Sequence, residues 1–186
     1  MIRLVIFDFG DTLFHVEDDE RSKGTGQWEV IERDEEGRPT RVAPPDRVGK
    51  VECTFEHVQE VLYDLREREI WLSVASSADV IYTPQMVEAF EMGALFRHTF
   101  MARGDSNQDC SRKGDWIKAI IHDFNIGECQ DEPLQPGDVL FVDDLARCLN
   151  AAAKTVPGVK TCMSFPRTEE GMRYIYHVIE EFNEDD

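Results

Sequence analysis

Four polar positions in this 186-residue chain have the residue types needed for chemistry on a phosphate group. Asp8, Ser76 and the pair Asp143-Asp144 each come directly after an apolar run of strand length, and Lys113 stands at the start of a helical pattern. In an open sheet of parallel strands, residues that follow the strands meet in one crevice. We therefore expect these side chains to lie together.

The charges of such a cluster indicate which ligands it would take. Three carboxylates in one crevice repel one another unless a cation sits among them, and oxygen ligands with room for water and a phosphate suit Mg²⁺. The Lys113 ammonium and the Ser76 hydroxyl would hold phosphate oxygens, and an aspartate beside the metal could form an aspartyl-phosphate. The combination indicates phosphoryl transfer.

Each of these residues also has an ordinary structural role open to it. An aspartate at a strand end caps helices, a serine in the position of Ser76 forms turns, and Lys113 could be a surface charge. Only the set of positions, taken together, favours the chemical interpretation.

Hydrophobic periodicity predicts the elements that would position this set. Continuous apolar runs predict buried parallel strands, of which the first is central, and spacings of three and four residues predict amphipathic helices. Strands that alternate with helices indicate an α/β fold, a doubly wound, Rossmann-like parallel sheet with right-handed crossovers. The predicted strands are 4–7, 70–75, 98–101, 139–142 and 159–163, and the predicted helices are 55–68, 83–92 (Thr83 as N-cap, Gly93 as stop), 111–124, 145–153 and a last one that Thr168 opens.

Residues 15–53 interrupt the alternation. The segment is too long for an ordinary connection in a compact domain, so it should carry structure of its own. Apolar stretches at 28–33 and 39–42 flank the turn signal Asp34-Glu35-Glu36-Gly37, which predicts a two-stranded flap. We therefore predict one domain over 1–186, with 15–53 inserted as a small flap or cap.

Composition excludes several classes of function. Thirty-eight acidic residues against 20 Lys and Arg give a net charge of −18, which disfavours a nucleic-acid surface, and no apolar run has the length of a membrane span. Five dispersed cysteines without a C-x-x-C pair argue against a disulfide framework and a zinc site. They predict reduced thiols and a cytoplasmic location. The sequence does not predict an oligomeric state.

The chain resembles the haloacid dehalogenase superfamily of aspartate-nucleophile phosphatases. Asp8-Phe9-Gly10-Asp11-Thr12-Leu13 resembles the first motif of that superfamily, and Ser76, Lys113 and Asp143-Asp144 match the other three in order. The short flap, Ala75-Ser76-Ser77-Ala78-Asp79 and Phe141-Val142-Asp143-Asp144 look most like the small magnesium-dependent phosphatase-1 members. The resemblance covers nearly the whole chain.

The resemblance implies a role for each matching residue. Asp8 would be the nucleophile, and Asp8, Asp143 and the backbone carbonyl of Gly10 would bind Mg²⁺, with Asp144 joining them or orienting the metal's waters. Ser76 and Lys113 would bind the phosphoryl group. Arg112 is an alternative to Lys113, because the adjacent pair leaves the register open by one residue.

The first motif departs from the pattern of the superfamily. A second aspartate, followed by glycine or tyrosine, normally stands two residues after the nucleophile and acts as general acid and base, a role worth roughly 10²- to 10⁴-fold in rate. Here those positions hold Gly10 and Asp11. Asp11 replaces the missing group only if the backbone shifts by one residue, which Gly10 makes easier. Otherwise Asp11 caps the loop beside Thr12.

Two functions therefore follow from the sequence. The first is a Mg²⁺-dependent phosphatase, slowed by Gly10, that acts on a small phosphorylated molecule or a phosphorylated side chain. The second is a catalytically impaired relative that binds a phosphorylated ligand or a protein partner. The fold cannot choose between the two.

Overall fold

A five-stranded parallel sheet lies at the centre of the fold. The computed structural model describes residues 1–101, 110–165, 167–168 and 170–184. In these residues the strands of the sheet are β1 (Leu4–Phe7), β6 (Trp71–Ser76), β7 (Phe100–Met101), β8 (Val139–Asp143) and β9 (Lys160–Met163). Their order in the sheet is β7-β6-β1-β8-β9. The predicted parallel α/β sheet, with the first strand central, is thus confirmed.

Helices cover both faces of this sheet, because β1 is apolar on both sides. Val5 and Phe7 belong to one hydrophobic cluster and Leu4 and Ile6 to another, as alternation along a strand requires. Helices α1 (Val58–Glu67), α2 (Tyr82–Ala89) and α5 (Tyr174–Glu184) contribute to the first cluster, and α3 (Lys113–Ile126) and α4 (Ala146–Thr155) contribute to the second. Among the described residues, no helix is both long and apolar enough to cross a membrane.

The insertion after β1 forms a larger sheet than the sequence predicts. The hairpin of β3 (Glu29–Arg33) and β4 (Pro39–Ala43) is present as expected, but β2 (Phe14–Asp18) and β5 (Lys50–Thr54) extend it to four antiparallel strands in the order β2-β5-β4-β3. The predicted flap is therefore confirmed, and its sheet has two strands more than the sequence predicts. The two ends of the insertion pair with each other over their whole length, which brings the chain back to the central sheet.

The antiparallel sheet packs on α2 of the central domain. The hydroxyl of Tyr82 donates a hydrogen bond of 2.6 Å to the buried carboxylate of Glu52 on β5, and the Trp28 ring packs on the Tyr82 ring with centroids 5.1 Å apart. Arg33 on β3 makes an ion pair of 2.7 Å with Glu91, just beyond α2. Trp28 therefore attaches the sheet to the domain beneath it.

Two predicted helix starts are wrong for local reasons. Helix α2 begins at Tyr82 rather than after Thr83, because the Asp79 carboxylate accepts hydrogen bonds from the backbone N–H groups of Ile81 and Tyr82. Helix α5 begins at Tyr174 rather than near Thr168. Gly171 has a φ of +53°, which an α-helix does not allow, so only a short 3-10 turn precedes α5.

The expectation that all five cysteines are reduced is also wrong. Cys110 and Cys148 form a disulfide across 38 residues, with Cα atoms 4.6 Å apart, whereas Cys53, Cys129 and Cys162 are buried free thiols. The pair comes together through the packing of α3 on α4, a tertiary contact that cysteine spacing does not predict.

Close packing of α3 on α4 yields a stability prediction. A Cβ atom added at Gly114 would lie 2.3 Å from the Thr155 Cβ atom, so the Gly114→Ala variant must push the helices apart. Overpacking of this kind costs about 1–3 kcal/mol, and we expect a melting temperature lower by roughly 2–12 °C. Differential scanning calorimetry measures this change in melting temperature.

The matched control is Gly137→Ala, because a Cβ atom at Gly137 meets nothing within 4 Å. We expect its melting temperature to stay near that of the wild type. Equal melting temperatures for the Gly114→Ala and Gly137→Ala variants would contradict the close contact between α3 and α4.

Candidate active site

The ends of three neighbouring strands bring the predicted carboxylates and the serine to one edge of the sheet. Phe7 of β1 pairs in register with Val74 of β6 and with Val142 of β8, so the residues that follow them lie side by side. The backbone N–H of Asp8 donates to the Val142 carbonyl at 2.9 Å, which continues this pairing beyond β1. Ser76 and Asp143 end the flanking strands.

Lys113 enters this edge from the first position of α3. Its Nζ atom lies 2.7 Å from Asp8 Oδ1 and 3.0 Å from Asp143 Oδ2, and it donates a hydrogen bond of 2.8 Å to the Ala75 carbonyl. The side chain is buried. Arg112, the alternative, instead places its guanidinium over the Trp116 ring, 5.5 Å from the centroid. Lys113 is thus the cation at the centre of the cluster.

Asp143 is fully buried, and only one of its oxygens has a hydrogen-bond partner. Oδ1 accepts a hydrogen bond of 2.9 Å from the Leu145 N–H, whereas Oδ2 lies within ion-pair distance of Lys113 without a hydrogen bond. Burial raises the pKa of Asp143 to about 6, although the Lys113 charge opposes this shift. Oδ2 thus lies beside the Lys113 ammonium and the neighbouring carboxylates, an environment suited to a cation.

The neighbouring carboxylates complete an oxygen cluster. One oxygen from each of Asp8, Asp143 and Asp144 lies within 4.8 Å of the other two. The pKa of Asp144 is raised, first by burial and then by the negative charge of Asp8. Hard oxygen donors that repel one another in this way fit a divalent cation such as Mg²⁺.

Ser76 lies at the same cavity as the carboxylates and the lysine. The cavity has a volume of about 370 Å³, and Asp8, Ser76, Lys113 and Asp144 all line it. Ser76 is buried, and its Oγ accepts a hydrogen bond of 3.3 Å from the Ala78 N–H. This cavity can hold a phosphate between a hydroxyl group and an ammonium group.

Gly10 and Asp11 lie at the rim of this cavity. Asp11 has a φ of 55°, and its side chain, 67% exposed, lies 3.4 Å from the Arg167 guanidinium. The Asp11 carboxylate thus faces a cation at the surface. A Cβ atom at Gly10 would meet nothing within 4 Å, so a side chain there has room.

A second and larger cavity, of about 910 Å³, adjoins the first and shares Gly10, Asp11 and Ala78 with it. The Arg47 guanidinium stacks on the Tyr82 ring, 4.5 Å from its centroid, and lies 3.4 Å from Glu52. Sequence reasoning missed both arginines, because Arg47 lies in the insertion and Arg167 lies four residues beyond β9 rather than directly after it. Side chains of the antiparallel sheet, of α2 and of the loops beyond the central strands line this cavity, among them Phe9, Phe14, Arg47, Glu52, Tyr82, Met86 and Arg167.

Solved structures similar to this chain include hydrolases of the haloacid dehalogenase superfamily. A subfamily IA hydrolase from Geobacter sulfurreducens aligns with a TM-score of 0.58 at 15% identity, over 96% of this chain and 100% of that one. A hydrolase from Ehrlichia chaffeensis aligns with a TM-score of 0.57 at 11% identity, over 98% of each chain. No protein-family model matches the chain, and no curated protein sequence matches it.

A third similar structure contains a metal. It is the N-terminal part of a Bacteroides fragilis protein, with a phosphatase domain in complex with Mg, and it aligns with a TM-score of 0.54 at 17% identity. The alignment covers 94% of this chain, which spans only 39% of the Bacteroides chain. At these identities the comparisons show the fold, and the chain has the fold of haloacid dehalogenase superfamily hydrolases.

The buried carboxylates yield a prediction for metal binding. Mg²⁺ at about 100 times its Kd should raise the melting temperature by roughly 5–10 °C, because it binds only the folded protein and relieves repulsion. The effect should be larger at pH 7.5 than at pH 5, since Asp143, with a pKa of about 6, is mostly protonated at pH 5. Without metal, the raised pKa of Asp143 makes stability fall as the pH rises from about 4, the ordinary pKa of this carboxyl group, to about 6.

Two variants test the assignment of this effect. Asp143→Asn should abolish both the response to Mg²⁺ and the stability loss around pH 6. Asp131→Asn, which changes an exposed carboxylate in the segment leading to the opposite end of β8, should leave both unchanged. A full response to Mg²⁺ in the Asp143→Asn variant would exclude that residue as a ligand.

Proposed function

We propose that this protein is a Mg²⁺-dependent phosphomonoester hydrolase with Asp8 as its nucleophile, similar to the small magnesium-dependent phosphatase-1 members of the superfamily. The observation that carries the proposal is the buried Lys113, which contacts Asp8 and Asp143 beside Ser76 at the carboxyl ends of the strands. One cavity there offers a nucleophile, oxygen ligands for a metal and two groups that bind phosphate.

The metal ligands in this proposal are Asp8, Asp143 and the backbone carbonyl of Gly10, with Asp144 as a further ligand or as the residue that orients bound water. Oδ2 of Asp143, which is buried beside the other two carboxylates, supports this arrangement. Mg²⁺ bound there would offset the negative charge of the phosphate and of the carboxylates as the nucleophile approaches.

The reaction that we propose has two steps. An oxygen of Asp8 attacks phosphorus, and the bond from phosphorus to the ester oxygen breaks, which leaves an aspartyl-phosphate and releases the alcohol. Water then attacks the phosphorus atom and returns the Asp8 carboxylate with inorganic phosphate. Lys113 and Ser76 hold the phosphoryl oxygens in both steps, and Lys113 balances the charge that builds up on them.

Proton transfer is the step for which this chain is least well equipped. The departing oxygen needs a proton in the first step, and water must lose one in the second. Gly10 has no side chain, and the Asp11 carboxylate pairs with Arg167 at the rim. Exposed ion pairs are weak, so Asp11 can leave Arg167 and turn inward at little cost. We propose that Asp11 acts in this way, and that turnover of unactivated esters is slow.

The larger cavity is the proposed site of the leaving group. Its apolar walls and the charged pair Arg47 and Glu52 suit a small phosphorylated molecule or a phosphorylated side chain. We do not propose nucleic acid as a substrate, because the net charge of −18 repels a phosphate backbone, and we propose no membrane partner.

A second function is favoured by one specific observation. The position of the usual acid and base is Gly10, and the neighbouring carboxylate faces away toward Arg167. A site that keeps its phosphate-binding and metal-binding groups but lacks proton transfer would bind a phosphorylated ligand or partner without turnover. Phosphate release from an aryl phosphate, with and without Mg²⁺, separates the two functions.

One prediction from the proposed function concerns the nucleophile. Asp8→Asn should reduce phosphate release to the background rate while the circular dichroism spectrum stays unchanged, because an amide keeps the shape of the side chain but cannot attack phosphorus. Asp131→Asn is the control and should keep full activity. Activity near that of the wild type in a carefully purified Asp8→Asn variant would remove Asp8 from the mechanism.

A further prediction concerns the general acid and base of the proposed reaction. If Gly10 leaves the site without a proton donor, Gly10→Asp should raise kcat on an alkyl phosphate by roughly 10²-fold and raise it less on an aryl phosphate, whose leaving group needs less protonation. Space at Gly10 allows the new side chain.

Asp11→Asn tests the alternative in the same assay. If Asp11 already acts, its loss should slow the alkyl phosphate most, and Gly10→Asp should give little gain. If neither variant nor the wild type releases phosphate, although all bind Mg²⁺ and inorganic phosphate, the binding function replaces the phosphatase.

A further inference from the structure

The disulfide of Cys110 and Cys148 lies at the candidate active site. Cys110 begins the 3-10 turn that leads into α3, three residues before Lys113. Cys148 is the third residue of α4, the helix that begins just after Asp143-Asp144. Both cysteines line the cavity that also contains Asp8, Ser76 and Lys113. The bond thus joins the segment that carries the lysine to the segment that carries the metal-binding carboxylates.

The other three cysteines have no such position. Cys53 lies in the antiparallel sheet, and Cys129 and Cys162 lie in the two hydrophobic clusters. All three are buried free thiols, and burial raises the pKa of each, to about 12 for Cys53 and about 11 for Cys162. Cys162 is as exposed as Cys110, so the pair differs from these three cysteines in its position at the cavity, which none of the three lines.

We propose that Cys110 and Cys148 are a reversible thiol–disulfide modification site that controls phosphate binding by positioning Lys113. The inference rests on the proposed function in one respect: the group that Lys113 holds is a phosphate. The co-reactant is a low-molecular-weight disulfide such as glutathione disulfide, and the reverse reaction uses a dithiol. The two cysteines are positioning residues.

The exchange balances in two steps. The Cys110 thiolate attacks one sulfur atom of the small disulfide, which forms a mixed disulfide and expels one small thiolate. The Cys148 thiolate then attacks the Cys110 sulfur atom and expels the second. The protein loses two electrons and two protons, and the small disulfide gains both and becomes two thiols. Cys110 attacks first because it is 8% exposed, against 2% for Cys148.

The contacts around α3 decide what reduction changes. Gly114 packs tightly on Thr155 at the far end of α4, so the two helices remain together without the disulfide. Reduction replaces a covalent link near Lys113 with a longer contact between two thiols, and only the turn before Lys113 is released. The Nζ atom must lie within hydrogen-bond distance of Asp8 and of the phosphate. A displacement of about 1 Å lowers the rate of a reaction by up to 10²-fold.

The oxidised protein is therefore the form that binds phosphate well. We expect its Kd for inorganic phosphate, measured by calorimetry in the presence of Mg²⁺, to be at least about 10-fold lower than that of the dithiol-reduced protein, the factor that one lost charge-assisted hydrogen bond corresponds to. The KM for an aryl phosphate should rise on reduction by the same factor. Thiol titration of the denatured protein should give three thiols after treatment with glutathione disulfide and five after reduction.

Variants separate positioning from general stability. Cys148→Ser should have the phosphate Kd of the reduced wild type and should not respond to dithiol. Cys129→Ser, a buried thiol outside the pair, should respond as the wild type does. We expect the melting temperature to be lower by about 10 °C without the disulfide, so binding is measured well below both unfolding transitions. Chemical reduction of the wild type gives the same comparison if the serine variant does not fold.

The outcomes distinguish this inference from the proposed function. Five thiols after treatment with glutathione disulfide, or equal phosphate Kd values in both redox states, would overturn the inference even if the protein is an active phosphatase. Tighter phosphate binding after reduction would overturn it as well. A phosphate Kd that depends on the redox state, without turnover of any phosphomonoester, would support the inference and reject the phosphatase.

Discussion

The buried ammonium of Lys113 is the interaction on which the site depends. Parallel pairing of β1 with β8 forces Asp8 and Asp143 together, and two buried carboxylates at this distance repel each other strongly. Lys113 offsets that repulsion through contacts of 2.7 and 3.0 Å, and its third contact, with the Ala75 carbonyl, ties β6 to the same point. Removing one member of such a group leaves an uncompensated buried charge. The strand order that brings Asp8 and Asp143 together therefore also requires a buried cation between them, and Lys113 is that cation.

The sequence predicts this part of the molecule well, because the signals are local. Strands buried on both faces are continuous apolar runs, and the residue that ends such a run lies at the carboxyl edge of the sheet whatever the connections are. Asp8, Ser76 and Asp143 could be placed in this way. Lys113 needed one more step, since only the packing of α3 shows that Lys113, and not Arg112, points inward.

Features that depend on distant contacts could not be predicted. Glu52 of β5 is buried, although a glutamate in a sequence predicts a surface position. Its burial depends on Tyr82, 30 positions away, which donates a hydrogen bond to the Glu52 carboxylate. The Cys110–Cys148 bond spans 38 residues and depends on the packing of α3 on α4. The start of α5 depends on the positive φ of Gly171, whose backbone lies close to the Glu56 carbonyl. In each case a partner that is remote in sequence decides the local structure.

The swapped pair Gly10 and Asp11 shows how backbone conformation limits chemistry. The second residue of the pair has a φ of 55°, which glycine adopts freely and which aspartate tolerates better than most residues do. This conformation places the Asp11 side chain at the rim, beside Arg167 and between the two cavities. A carboxylate there meets the leaving group of a substrate before it meets the phosphate. In the proposed reaction the larger cavity and Asp11 would therefore be coupled. A leaving group that competes with Asp11 for Arg167 would also free the Asp11 carboxyl group, which in its protonated form could donate a proton to that leaving group.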